Sequence, residues 1–130
     1  MKFCEEVPKE KIIETALNLI NKSKKSINMT MDMSDEINSP LPKQYHKQLR
    51  FNLKRGIKIN RYVYGSKKLI KKIKNLYPEI KIHFGGKIIL YQRMLIIDKR
   101  LGIFSLNNKV FFTNFEPLVK SLLKYAKIYK

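Results

Sequence analysis

Along this chain the spacing of apolar residues switches from helical to alternating and back, and that switching limits the fold more than any single residue does. Over residues 8–25, Ile12, Ile13, Ala16, Leu17 and Ile20 follow helical spacing, with charged side chains on the other face. Immediately after, Ile27, Met29, Met31 and Met33 fall on every second position, the pattern of a strand with one buried face. The methionines there read as core packing. Residues 34–42 carry acids, Asn38, Ser39 and two prolines, and read as a loop. A second helix is predicted over 42–55, with Tyr45, Leu49 and Leu53 as its apolar stripe and Gly56 at the position after its end, where φ is often positive.

A strand is predicted over 57–63, then a third helix from an N-cap at Ser66 to Leu76, with Leu69, Ile70, Ile73 and Leu76 inward. Pro78 ends it, and Ile80, Ile82 and Phe84 alternate in the next strand. After Gly85-Gly86 strands follow one another: residues 88–98, which hold the most buried strand, then 101–106 and 110–113. Lys99-Arg100 makes the first turn and Asn107-Asn108 the hairpin turn of the second. A last helix is predicted over 115–128, with Leu118, Leu122, Tyr125 and Tyr129 inward, and Thr113 and Glu116 at capping-box spacing. The predicted order is αβαβαββββα, an α/β fold with a mixed sheet flanked by helices.

At 130 residues the chain has room for one domain, 1–130, with residues 1–8 as an N-terminal extension. No apolar run approaches the roughly 20 residues that span a bilayer, so no membrane span is expected. The start has no apolar stretch of the secretory kind, and the expectation is a cytoplasmic protein. Cys4 is the single cysteine, so neither an internal disulfide nor a four-ligand zinc site is expected, nor any other metal or cofactor. Lys and Arg number 28 against 10 Asp and Glu, a formal charge of +18. A field of that size attracts polyanions, and charge alone does not choose between nucleic acid, anionic lipid headgroups and phosphorylated metabolites. Thermophilic ion-pair networks need both signs, and acids are scarce here.

Three passages, in this order, resemble half of a phospholipase D-like domain. The first is a helix leading into a strand such as 27–32. The second is Lys54-Arg55-Gly56-Ile57-Lys58-Ile59, a helix ending in Arg-Gly before a strand. The third is Tyr91-Gln92-Arg93-Met94-Leu95-Ile96-Ile97-Asp98. The signature of that family is H-x-K-x-x-x-x-D, followed by a strand and a small-residue turn of the Gly-Ser-x-Asn kind. Laid on the third passage, it puts Tyr91 at the histidine, Arg93 at the lysine and Asp98 at the aspartate, with Ser105-Leu106-Asn107-Asn108 near the turn. The similarity covers residues 9–128.

The resemblance implies a fold in which histidine attacks phosphorus, lysine neutralises the phosphate oxygens, and two halves meet, here as a homodimer. A phenol of ordinary pKa about 10 is a poor substitute for imidazole at neutral pH, whereas Arg93 keeps the charge and adds a bidentate fork. Loss of phosphodiesterase chemistry is therefore expected, with binding of a phosphorylated or sugar ligand, or another anion, in its place. A degenerate domain of this type also resembles the effector domain of archaeal sugar-responsive transcription regulators of the TrmB kind. Those place a winged helix first, whereas eight residues precede the first helix here, so output through another chain is expected. Two alternatives stand beside this reading. One is sequence-indifferent nucleic-acid binding through Lys67, Lys68, Lys71 and Lys72, with Tyr62 and Tyr64 stacking on bases. The other is residual phosphodiesterase or nuclease activity at Tyr91. The two histidines, His46 and His83, read as ordinary side chains.

Overall fold

The computed structural model describes residues 4–126. Its elements run β1 (Cys4–Val7), α1 (Ile12–Lys22), β2 (Ser26–Asp32), α2 (Met33–Asn38), α3 (Lys43–Lys54), β3 (Lys58–Tyr64), α4 (Ile70–Leu76), β4 (Lys81–Gly86), β5 (Met94–Ile97), β6 (Leu101–Leu106), β7 (Lys109–Thr113) and α5 (Glu116–Tyr125). The strands form one seven-stranded sheet in the order β1-β7-β6-β5-β2-β3-β4. β2, β3 and β4 are parallel, as helical crossovers require, whereas β5 runs antiparallel to β2, and β6, β7 and β1 continue antiparallel.

Helices cover both faces. Ala16, Leu19 and Ile20 of α1 and Tyr45 and Leu49 of α3 pack on Ile27, Met29, Ile59, Leu95 and Ile97. Across the sheet, Val119 and Leu123 of α5, with Ala126 just after it, pack on Met94 and Ile96. A smaller cluster of Met31, Met33, Val63 and Ile73 holds α4 in place.

The mixed α/β architecture expected from the sequence is what the chain adopts, with local corrections, among them Leu76, expected inward at the end of the third helix but 51% exposed. Cys4–Val7 is an edge strand on β7 rather than a bare extension; its alternation is too short to register beside Pro8. The expected loop after β2 contains α2, because the Asp32 carboxylate caps it by accepting from the amides of Ser34 and Asp35. Ile88–Leu90 forms a short 3-10 turn with Ile89 85% exposed, and only Met94–Ile97 of that apolar run is strand, buried throughout. In α5 the fully buried residues are Val119 and Leu123, with Ala126 just after; Leu122 packs partly buried against the same cluster as expected, while Tyr125 is exposed. Phe115 is the N-cap, and Thr113 Oγ1 accepts from the Phe115 amide instead of closing a capping box. The expected inward Tyr129 lies outside the described residues.

Several local expectations have clear physical grounds. Gly56 sits at φ +85, the left-handed conformation that ends α3. Asn107 and Asn108 take φ of 51 and 63, the pair of positive values that a two-residue type I′ hairpin needs. Arg55 donates to Asn52 Oδ1 (2.9 Å) and to the Ser23 carbonyl (3.2 Å). Asn52, fully buried, donates in turn to the Ile20 carbonyl at 2.6 Å. The Arg-Gly passage therefore stitches the end of α3 to the end of α1.

Asp98 follows β5 in a turn where both it and Lys99 have positive φ. Its carboxylate accepts from the amides of Lys24, Lys25 and Ser26, at 2.7–3.2 Å, fastening the entrance of β2. Burial alone would raise its pKa, yet the amides of Ser26, Lys25 and Lys24 outweigh burial and hold it below the ordinary carboxylate value. A depressed folded-state pKa contributes stability above the unfolded value of about 3.9, and that contribution is lost as pH falls through the folded value. Asp98→Ala is expected to cost about 2 kcal/mol at pH 7, after allowance for screening of a partly exposed carboxylate. Urea titrations at pH 7 and pH 3 should show this deficit shrinking on acidification. An equal deficit at both pH values would refute the charged clamp.

Candidate anion-binding cleft

The β2–β5 ladder pairs Ile27 with Ile97, Asn28 with Ile96 and Met29 with Leu95. At the next rung a side chain takes over: Thr30 Oγ1 accepts from the Met94 amide (3.0 Å) and donates to the Gln92 carbonyl (2.6 Å). Gln92 donates through Nε2 to the Ser105 carbonyl (2.5 Å), and the Ser105 amide donates to the Arg93 carbonyl (3.0 Å). These bonds hold residues 91–93, which belong to no regular element, at the end of the sheet.

Tyr91 and Arg93 stand there at the mouth of a cavity of ≈ 150 Å³ and also line an outer groove of ≈ 550 Å³. Asp35 and Ser105 belong to both walls. Arg93 is exposed, and Tyr91 half-buried with its ring 5.6 Å from that of Tyr64. Burial pushes the Tyr91 phenol up to about 12; Asp32 and Asp35 add to this, while Arg93 opposes it.

The inner wall carries Tyr45, Arg61 and Glu36. Burial raises the Tyr45 phenol to about 12 against the pull of Arg61 and Arg93. Glu36, itself buried, accepts from the Tyr77 hydroxyl at 2.5 Å and stands 3.5 Å from His46 Nε2 and 3.7 Å from Arg61 Nη1. The Arg61 guanidinium lies over the Tyr77 ring at 4.8 Å, and His46 stacks on that ring from 4.6 Å. Burial first, and then Arg61, lowers the pKa of His46. Sequence reasoning missed Arg61, Tyr45 and Glu36 as site residues. A signal existed for Arg61, which takes the inward slot of a strand between Ile59 and Val63.

The other candidates lie elsewhere. Asp98 is at the opposite end of β5 from Arg93, so the cleft holds two of the three motif positions. Lys67, Lys68, Lys71 and Lys72 are exposed around the start of α4, and Lys67 Nζ sits 5.3 Å from the Phe84 ring centre. Tyr62 is half-buried and stacked on His83, which meets Asn60 Oδ1 at 2.9 Å. Tyr64 is 2% exposed, with its ring laid so close over Gly85 that a Cβ there would strike it. It therefore has no free face on which a base would stack. Among the described residues no group of three His, Cys, Asp or Glu side chains is placed to hold a metal ion, and no helix is long and apolar enough to cross a membrane.

No family model matches the sequence, and no curated protein matches it. Solved structures do match in shape. Nuc from Salmonella typhimurium, a phospholipase D family member, superposes with a TM-score of 0.68 at 17% identity, over 96% of this chain and 90% of that one. NucT from Helicobacter pylori gives 0.65 at 16%, over 96% and 92%. TrmBL2, described as an archaeal chromatin protein with a novel mode of DNA binding, gives 0.62 at 18%, over 99% of this chain and 52% of that one. The chain thus has the phospholipase D-like fold that the order of its motifs resembles, and it spans about half the length of TrmBL2.

Thr30→Val keeps the shape of the side chain but removes both bonds, leaving the Met94 amide buried without a partner. A loss of about 1–3 kcal/mol is expected in chemical denaturation. Hydrogen exchange should quicken at Met94 first, and unchanged protection there would contradict the bridging role of Thr30.

Proposed function

We propose that this chain is a non-catalytic regulatory domain of the phospholipase D-like fold that holds an anionic ligand at Arg93. The observation that carries the reading is the Tyr91 phenol, pushed up to about 12 at the position where the family chemistry needs an imidazole. A group so far above neutrality stays protonated, which disables it as nucleophile and as a proton shuttle. Arg93 keeps a permanent charge and a bidentate fork at the cavity mouth. The domain spans 1–130, works in the cytoplasm as a homodimer, and takes part in the regulation of transcription. The description of TrmBL2 as a chromatin protein with a novel mode of DNA binding supports a role at DNA.

Two measurements test this reading. Bis(p-nitrophenyl) phosphate should not turn over above background; turnover abolished by both Tyr91→Phe and Arg93→Ala would replace the binding reading with a phosphodiesterase. Calorimetry with inorganic phosphate and glucose 6-phosphate should show binding that Arg93→Ala weakens about tenfold or more.

A second reading, sequence-indifferent nucleic-acid binding, is favoured by the lysines at α4. Lys67, Lys68, Lys71 and Lys72 are exposed and have no acidic partner within 4 Å among the described residues. Duplex affinity should then fall steeply with salt, and replacing those four by Gln should flatten the log–log slope by about 2–4. A slope unchanged by the quadruple variant would remove α4 from the interface.

A further inference from the structure

A charge of +18 does not tell one polyanion from another, but exposed apolar side chains narrow the choice. Ile88, Ile89 and Leu90 are 50%, 85% and 44% exposed, side by side in the 3-10 turn between β4 and β5. The turn is fixed from within and from both ends. The amides of Leu90 and Tyr91 donate to the carbonyls of Lys87 and Ile88, both at 2.9 Å. Ahead of it, the Gly86 carbonyl accepts from the Gly65 amide at 3.0 Å. A Cβ at Gly86 would stand 3.0 Å from Leu90 Cδ1, so the chain passes close beneath that side chain. Behind it, the Tyr91 ring rests 5.6 Å from that of Tyr64. An apolar tip held this way has little ordering to undergo when it enters another medium.

The surroundings of the tip are cationic. Lys87, exposed, opens the turn. The bond between Gly65 and Gly86 brings the segment that carries Lys67 and Lys68 alongside, and Lys67 Nζ lies 5.3 Å from the ring centre of the exposed Phe84. From residue 62 to residue 97 the sequence has one acid, Glu79, which precedes β4 and so lies at the end of that strand away from the turn. Asp32 and Asp35 are on the cleft side of Tyr91, where they line the cavity. Exposed apolar side chains within a rim of lysines suit an anionic bilayer, whose acyl boundary takes the first and whose headgroups attract the second. A stable protein interface needs about 800 Å² per partner, more than three side chains can supply.

We propose that the turn at 88–90 is a membrane-docking tip. Ile88, Ile89 and Leu90 enter the boundary between headgroups and acyl chains of an anionic bilayer, while Lys67, Lys68 and Lys87 meet the lipid phosphates. The attachment is peripheral, since such a tip reaches only about 5–10 Å into one leaflet. It is independent of the ligand reading at Arg93, because none of these six residues lines the cleft.

The chain has no tryptophan, so Ile89→Trp puts a single indole at the tip. Its emission should shift to the blue with vesicles of phosphatidylcholine and phosphatidylglycerol in equal parts, and stay unchanged with phosphatidylcholine alone. In co-sedimentation of the full chain with the mixed vesicles, the double variant Ile88→Ser, Ile89→Ser should bind about tenfold or more weakly. Replacing Lys67, Lys68 and Lys87 by Gln should cost about fivefold per lysine. All five side chains are exposed, so the variants should keep the Tm of the parent. The serine pair should leave affinity for duplex DNA unchanged, which separates the tip from the nucleic-acid reading that shares Lys67 and Lys68. Absence of sedimentation with the mixed vesicles at low salt would overturn the proposal, as would vesicle binding that ignores the serine pair or leaves the indole emission unshifted. A blue shift produced without lipid would overturn it too. Produced by duplex DNA, it would give the tip to a base step; produced by raising the protein concentration, it would give the tip to a second copy of the chain.

Discussion

The seam between β2 and β5 is the joint on which this structure depends. On one side lie strands that must run parallel because helices connect them, and on the other lies a meander that must run antiparallel because tight turns connect it. The ladder across the seam pairs only three residues of β2. Side chains therefore hold both ends: Asp98 gathers the amides of residues 24–26 at one end, and Thr30 bridges Gln92 and Met94 at the other. With both ends fixed, the residues that follow β2 and precede β5 are presented together, and those residues line the cleft.

The same seam sorts the motif positions by role. Asp98 belongs to the structural end, where it answers backbone amides. Tyr91 and Arg93 belong to the open end, beside Asp32 and Asp35. A carboxylate and a guanidinium only five positions apart thus have unrelated work, since β5 lies between them.

Legibility from sequence followed the range of the interactions concerned. Gly56, Asn107 and Asn108 were readable because a positive φ is a property of one residue and its neighbours. The phase of α5 was only partly readable: Leu122 packs against the core as its spacing implied, but the sheet beneath buries Val119 and Leu123 completely and leaves Tyr125 outside. Ile88, Ile89 and Leu90 looked like strand by composition, but the residues paired with β2 begin at Leu95, so those three lie off the ladder. The mouth of the cleft was legible through its motif spacing. Its inner wall was not, because Arg61, Tyr45 and Glu36 come from β3, α3 and α2 and converge only in the folded chain.

The edge strand β1 also bears on how the chain is made. Its register sets Cys4 against Thr113 and Val7 against Val110, so β1 finds its partner only once β7 is present. Contacts of such sequence separation are late to form, because loop closure must precede their reward. Until β7 arrives, its place in the sheet is empty and β6 is the open edge of whatever has already assembled. The pairing of β1 with β7 is thus a late step of folding, and it is also the step that finishes the cleft, since Glu6 and Val7 of β1 and Lys109 and Val110 of β7 line its outer groove.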